Sequence, residues 1–232
     1  MMLEAVELTK HYGSHIVLDQ LNLQVEPGEV FCLMGQNGAG KTTTLNLFLG
    51  FIAASSGQAW VDGKLVSPGQ QASNIAYIPE VVMLYPALSS LENLDFFSRL
   101  AGFRYTKEKL CDYLLQAGLQ PEAFEKRLGQ QSKGMRQKIG IAIAMAKNAK
   151  VILMDEPTSG LDPQAMYEFN ENVRAMREAG KAILMATHDI YSAVHSGTRI
   201  GIMKQGTLVN TLRADEISAN ELEKIYLTIM RS

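Results

Sequence analysis

The sequence predicts an α/β fold in which a parallel sheet is covered by helices. Two apolar runs, 151–154 and 182–186, each lead into polar residues, and such runs are typical of buried parallel strands that hold ligands at their carboxyl ends. A third apolar run, 29–34, precedes a glycine-rich loop at 35–42 and a helix-like segment that starts at Thr43 and stops at Gly50. Strand, glycine loop and helix therefore follow in the order of a phosphate-binding unit.

The first 85 residues are rich in predicted strands. Residues 3–8 alternate between apolar and polar, 58–63 read as a strand and turn, and 75–78 form a short strand that Pro79 ends. We expect this part of the chain to be mostly β.

Between residues 86 and 147 the pattern becomes helical. A helix with a plausible cap begins near Ser90, its apolar positions recur every three and four residues, and glycines punctuate the segment. The α/β pattern then returns, with two strands joined around Gln205-Gly206 and a last helix, 219–230, capped by Ser218.

Composition is that of a globular domain of ordinary charge. Of 232 residues, 47% are hydrophobic and 20% charged, and the net charge of −2 with no basic stripe argues against a nucleic-acid partner. Cys32 and Cys111 are predicted to be small apolar residues in a reducing compartment. Because the N-terminus lacks an apolar signal core and the longest apolar run is about 139–146, we expect no membrane insertion.

The loop G-x-x-x-x-G-K-[ST] makes ATP or GTP the first ligand to consider. Its glycines expose backbone N–H groups to phosphates, Lys41 offsets their charge, and the Thr42 hydroxyl is a hard ligand for Mg²⁺. The predicted phosphate-binding residues are Gly35, Gln36, Asn37, Gly38, Ala39, Gly40, Lys41, Thr42 and Thr43.

Two carboxylates follow the strand at 151–154. Asp155 is expected near the Mg²⁺ beside Thr42, and Glu156 is placed to accept a proton from an attacking water. A solvated strand end is the alternative for such a pair, and the phosphate loop weighs against it.

Three further motifs carry a resemblance to a known family. Residues 132–138, reading SKGMRQK, open an apolar helix; Ser159-Gly160-Leu161-Asp162 follow the acidic pair; and His188 follows the next strand. Almost the whole chain resembles the nucleotide-binding subunit of an ABC transporter. The resemblance implies a P-loop NTPase of ABC type with an N-terminal antiparallel β subdomain and an inserted helical subdomain. One domain, 1–232, would comprise a nucleotide-binding core of 1–85 and 148–232 and a helical subdomain of 86–147.

The resemblance also implies roles for individual residues. Two subunits would sandwich two ATP molecules head to tail, so that Ser132 and Gly134, with the adjoining Met135, act on the γ-phosphate held by Lys41 of the other subunit. Glu156 resembles the general base and His188 the residue that contacts the γ-phosphate and the water. Asp162 resembles a residue of the loop that couples the two sites, and Asp162-Pro163 is also a good helix start.

Tyr12 matches the family's aromatic that stacks on adenine. One aromatic residue is a weak motif, and a tyrosine at a strand end is the alternative. Since stacking tolerates either purine, the preference for ATP over GTP stays open.

The chain departs from the family pattern at three positions. Gln131 stands where a leucine is common, Lys133 replaces the second glycine of the signature, and Glu80 occupies the place of a glutamine that binds Mg²⁺. A carboxylate can also bind the metal, but it cannot donate a hydrogen bond when ionised. The candidate metal residues are therefore Thr42, Glu80 and Asp155.

The resemblance is strongest to ATPases of bacterial ABC-2-type exporters. It implies a separate transmembrane permease, a homodimer across two ATP, and a location on the cytoplasmic face of the membrane. Residues 79–89 resemble the ATPase serving copper-site maturation of nitrous-oxide reductase, but drug, lipid and peptide exporters share much of this pattern. Two other classes remain as alternatives: a soluble ABC-type ATPase acting on ribosomes or DNA, and a regulatory module that binds nucleotide without hydrolysis.

Overall fold

The computed structural model describes residues 1–69 and 74–231, which fold around two sheets. In chain order the elements are β1 (Leu3–Tyr12), β2 (His15–Val25), β3 (Val30–Gly35), α1 (Lys41–Phe48), β4 (Ser56–Val61), β5 (Lys64–Leu65), β6 (Ile75–Ile78), α2 (Ser90–Leu100), α3 (Lys107–Gln116), α4 (Lys133–Ala146), β7 (Val151–Asp155), α5 (Pro163–Glu178), β8 (Ala182–Thr187), α6 (Ile190–Ser196), β9 (Arg199–Lys204), β10 (Thr207–Arg213) and α7 (Ala219–Arg231).

The larger sheet has the strand order β10-β9-β3-β8-β7-β6. All neighbours are parallel except β9 and β10, which pair antiparallel at one edge. Met34 pairs with Thr187 and Asp155 with Ala186, so β3, β7 and β8 end at the same side of the sheet. The predicted parallel sheet is confirmed, and its carboxyl edge collects the loops that follow these strands.

The smaller sheet is antiparallel, with the order β2-β1-β4-β5. The sequence did not indicate β2, because irregularities interrupt the pairing of β1 with β2. Glu7 and Gln20 adopt positive φ, at 48° and 45°, which shifts the alternation that marks a strand. The antiparallel N-terminal β subdomain is confirmed.

Helices α2, α3 and α4 lie between β6 and β7, as the helical pattern predicts. Helix α2 begins at Ser90, as predicted, and Ser89 caps it: the Ser89 hydroxyl accepts from the N–H of Glu92, whose carboxylate accepts from the N–H of Ser89. The inserted helical part is confirmed as a feature of the fold, while the division of the domain at residues 85 and 148 stays a prediction.

The two faces of the larger sheet bury separate apolar clusters. Alternate residues of β3 go to opposite faces, with Cys32 in one cluster and Phe31 and Leu33 in the other. Met154 and Met176 are also buried in the apolar core, which fits their predicted role as core residues. Within residues 1–69 and 74–231, no helix has both the length and the apolar character needed to cross a membrane.

Candidate nucleotide site

The glycine loop joins the end of β3 to the start of α1. Gly38 and Gly40 have φ of +84° and +106°, a region that residues with a side chain seldom adopt. A Cβ at Gly40 would also lie 2.8 Å from the carbonyl oxygen of Val17 in β2. Both positions therefore require glycine, and the helix begins at Lys41 rather than Thr43.

Lys41 is a buried cation at the centre of this loop. Its side chain is 6% exposed, and its Nζ donates to the carbonyl oxygen of Gly35 at 2.7 Å. The same Nζ lies 3.4 Å from Oε1 of Glu156. An ammonium held between a carbonyl and a carboxylate can exchange the carboxylate for another anion of the right size.

Thr42 and Asp155 meet across the loop and the end of β7. The Thr42 hydroxyl donates to Oδ1 of Asp155 at 3.3 Å. Burial raises the pKa of Asp155, and the charges of Glu156 and Glu80 raise it further, while the Thr42 hydrogen bond and the charge of Lys41 lower it. Burial, the largest of these causes, makes ionisation of Asp155 less favourable in the folded chain than in water.

A cleft of about 230 Å³ contains the candidate metal residues Thr42, Glu80 and Asp155. Among the residues that the structure describes, no three His, Cys, Asp or Glu side chains form a metal cluster of their own. A hydroxyl and two carboxylates are nevertheless the oxygen donors that suit Mg²⁺, which usually completes its coordination with water and substrate phosphate. The buried Asp155 carboxylate fits such a cation.

Glu156 lies directly between Lys41 and His188. Nδ1 of His188 lies 2.7 Å from Oε2 of Glu156, and the His188 backbone N–H donates to the same oxygen at 3.2 Å. Glu156 has a φ of 44°, a strained value for a residue with a side chain, and its N–H donates to the carbonyl oxygen of Ala186 in β8. Strand β8 therefore helps to fix both residues.

The predicted residues of the SKGMRQK motif, 132–138, and Asp162 stand apart from this cleft. Ser132 caps α4 by accepting from the N–H of Met135 at 3.3 Å, and Asp162 caps α5 by accepting from the N–H of Ala165 at 2.8 Å. A Cβ at Gly134 would come within 3.2 Å of the Ala165 Cβ, so the two helix starts pack closely. None of Ser132, Gly134, Met135 and Asp162 is among the residues that line the cleft in the described part of the chain.

Tyr12 lies at the end of β1 and is 52% exposed. The Nζ of Lys10 stands 4.8 Å from the centre of its ring. The adjoining strand β2 brings Val17 to the wall of the cleft. A ring that is half exposed still offers a face to a planar partner, which is what stacking on a base requires.

One residue of the site, Val17, and one contact, between Ser159 and Glu80, were not predicted from the sequence. Val17 lines the cleft, but it belongs to the unpredicted strand β2. Ser159 donates its hydroxyl hydrogen bond to Oε1 of Glu80 at 2.9 Å, and only the fold brings these two positions together, 79 residues apart.

Comparison with known proteins gives a consistent result. The model of the ABC transporter family matches residues 18–159. The chain is 34% identical to an uncharacterized ABC transporter ATP-binding protein of Synechocystis over 95% of its length, and 33% identical to the Nod factor export ATP-binding protein I of Cupriavidus metallidurans over 95% of its length. It covers 65% and 74% of these two relatives.

Solved structures resemble the fold closely. The dimeric cassette MJ0796 of a bacterial ABC transporter superimposes with a TM-score of 0.82 at 26% identity, over 92% of this chain and 99% of that one. The same cassette in a post-hydrolysis state with ADP and Pi gives a TM-score of 0.80 at 26% identity, with the same coverage of both chains.

Proposed function

This chain belongs to the ABC transporter family of ATP-binding proteins, and on that premise we propose that it hydrolyses Mg-ATP as the energy-supplying subunit of an exporter. The observation that carries the proposal is the arrangement of Lys41, Glu156 and His188 at one edge of the sheet. Thr42 and Asp155 adjoin it in the same cleft. The cleft thus has a phosphate-binding cation and a carboxylate base within reach of each other.

Binding of ATP begins with the glycine loop. Its N–H groups and the start of α1 favour phosphate, and Lys41 supplies the compensating charge. Thr42, Asp155 and Glu80 would hold the Mg²⁺, which when bound neutralises phosphate charge and positions the phosphates. Phosphate that takes over the Lys41 ammonium also releases it from Oε1 of Glu156.

The released Glu156 then acts as the general base. Its carboxylate accepts the proton of a water that attacks the γ-phosphate, while His188 holds Oε2 in position through its ring and backbone nitrogens. The ATP γ-phosphoryl group passes to the water oxygen, and ADP leaves with phosphate.

Two such chains would complete each site. Ser132 is exposed at the start of α4, and a helix start bearing a hydroxyl suits the γ-phosphate of ATP bound to a second copy. Gly134, Met135 and Asp162 would lie at the same junction, and Tyr12 would stack on the adenine. Because hydrolysis removes the γ-phosphate, it removes the contact that holds the dimer together.

Export and a membrane partner are the wider part of the proposal. The Cupriavidus relative is named for Nod factor export. The chain spans 65% of the length of the Synechocystis relative, so a cargo and a membrane partner are inferred for this chain by analogy with its relatives. We propose a separate transmembrane permease that places this chain at the cytoplasmic face of the membrane. Residues 86–147 would act as the helical subdomain. Recovery of the untagged chain with an integral membrane protein would separate this role from a ribosome- or DNA-directed ATPase.

The decisive variant is Glu156→Gln. Turnover of ATP should fall by about 10²–10⁴, the usual contribution of a positioned general base, while ATP binding is kept. A phosphate-release assay measures turnover, and size-exclusion chromatography with Mg-ATP should show a trapped dimer. Glu178→Gln, on the exposed end of α5, is the matched control and should behave as wild type.

A contrary outcome is equally clear. Unaltered turnover together with a monomer in Mg-ATP would remove Glu156 from the role of base. Loss of ATP binding in Glu156→Gln would mean that the carboxylate supports nucleotide binding by the glycine loop and does not activate the attacking water.

A further inference from the structure

One contact joins two loops at the carboxyl edge of the sheet. Ser159 Oγ donates to Glu80 Oε1 at 2.9 Å. Glu80 is two residues beyond the end of β6, and Ser159 is four residues beyond the end of β7. The bond therefore ties the segment before α2 to the turn that leads to α5.

The contact engages only one carboxylate oxygen of Glu80. In the described part of the chain, Oε2 of Glu80 receives no hydrogen bond and forms no ion pair. Glu80 also lines the cleft that contains Thr42 and Asp155. A bond to Oε1 reduces the number of side-chain conformations that Glu80 samples and leaves Oε2 available.

A hydroxyl is a suitable partner for this purpose. An ionised carboxylate can only accept hydrogen bonds, so the side chain that holds it in place must be a donor. A serine hydroxyl donates without adding a charge, so it does not compete with a cation for the carboxylate. A lysine or arginine at position 159 would hold Glu80 more firmly but would repel a divalent cation.

We propose that Ser159 is a positioning residue for Glu80. Its hydrogen bond holds the Glu80 carboxylate beside Asp155, where that carboxylate is a ligand for the divalent cation that accompanies ATP. The inference rests on the proposed function of the cleft. It assigns a role to Ser159 within its own chain, and it explains how a glutamate can serve at position 80.

The test measures cation binding without hydrolysis. Mn²⁺ is titrated into the 232-residue chain with a non-hydrolysable ATP analogue, and bound Mn²⁺ is followed by electron paramagnetic resonance. Ser159→Ala should raise the Mn²⁺ concentration for half-saturation by about threefold, because a partly exposed hydrogen bond to a charged group is lost. Ser159→Thr keeps the hydroxyl and should stay within about twofold of wild type, and Ser67→Ala is the control for a serine elsewhere.

A double-mutant cycle makes the inference falsifiable. In a Glu80→Ala background, Ser159→Ala should cause no further change, because Ser159 acts through Glu80. An equal shift in both backgrounds, or no shift in the wild-type background, would overturn the inference. Failure of Glu156→Gln to lower turnover would instead count against the proposed hydrolysis, since the Mn²⁺ readout does not depend on it.

Discussion

The phosphate-loop cleft and the paired starts of α4 and α5 are both polar, but they are built differently. In the cleft, side chains from distant parts of the sequence meet: Lys41 with Glu156, and Thr42 with Asp155. At the helix starts, the side chains of Ser132 and Asp162 each accept from the backbone N–H three residues further along.

This difference shows which of the two regions brings its polar side chains into contact with each other within one chain. The cleft already contains the Lys41 ammonium, the Glu156 carboxylate beside it and the His188 ring in contact with that carboxylate. The helix starts have local caps, in which the Ser132 hydroxyl accepts from Met135 and the Asp162 carboxylate accepts from Ala165. The comparison supports an arrangement in which the cleft binds nucleotide alone and the helix starts act on the nucleotide of a second chain.

The largest expected effect on ATP affinity comes from Lys41→Ala. Because the buried ammonium is the main positive charge of the cleft, its loss should weaken ATP binding to the isolated chain by about 10–100-fold. Titration calorimetry with Mg-ATP measures the dissociation constant, and Lys126→Ala, on the exposed surface, is the matched control. Unchanged affinity would mean that the N–H groups of the loop bind ATP without the Lys41 ammonium.

Ser132→Asp tests the role of the start of α4. Aspartate is as good a helix cap as serine, so α4 should keep its start, but the added charge repels a γ-phosphate. We expect ATP affinity of the monomer within about twofold of wild type and turnover reduced by about tenfold, because the contact across the dimer is lost. An equal loss of monomeric affinity and turnover would place Ser132 in the same site as Lys41.

Much of the fold follows from local patterns in the sequence. The apolar runs at β3, β7 and β8 predict the parallel sheet, and the glycine loop predicts the turn that brings Lys41 and Thr42 together. Strand β2 escapes prediction because the positive φ at Gln20 shifts its alternation. A periodic pattern detects a strand only where the pairing is regular.

The candidate site divides in the same way. Residues inside one motif, such as Asp155 with Glu156, are recognisable because adjacent positions carry the chemistry. The contact between Ser159 and Glu80 is set by how β6 and β7 lie side by side, and no local pattern encodes that. The roles of all these residues in catalysis stay predictions.

A smaller effect is expected at Gln131, which precedes the cap of α4. Its Nε2 donates to Ser90 Oγ at 2.6 Å and to the carbonyl oxygens of Ala123 and Lys126 at 3.1 and 2.9 Å. Gln131→Leu, which restores the residue common in the family, removes this buried donor. It should lower the free energy of unfolding by about 1–2 kcal/mol, or the melting temperature by about 2–8 °C.

Thermal unfolding followed by circular dichroism measures this change. Gln130→Leu, at the exposed neighbouring position, is the control. A melting temperature equal to that of wild type would show that apolar packing replaces the three hydrogen bonds, and that Gln131 does not specifically support the start of α4.

The last prediction concerns Asp155, whose pKa burial and neighbouring carboxylates raise above its ordinary value of 3.8. A carboxyl with a raised pKa in the folded state contributes stability below its ordinary pKa and loses that contribution as pH rises through the folded pKa. At pH 7 the ionised Asp155 therefore opposes folding of the ligand-free chain. Asp155→Asn removes the charge and keeps an oxygen for the Thr42 hydroxyl, so it should raise the stability by about 1 kcal/mol and the melting temperature by about 2–4 °C.

With Mg-ATP the order of stability should reverse, because a bound cation stabilises the negative charge of Asp155 and favours the folded state. Melting curves at pH 7 with and without Mg-ATP check both statements, and the gain from Asp155→Asn should shrink as pH is lowered towards the ordinary pKa of the carboxyl. If Asp155→Asn melts below wild type in the absence of ligand, the buried carboxylate is balanced within the chain. Asp155 would then have its partners within the chain, as the caps Ser132 and Asp162 do. Charge would no longer distinguish the cleft from the two helix starts.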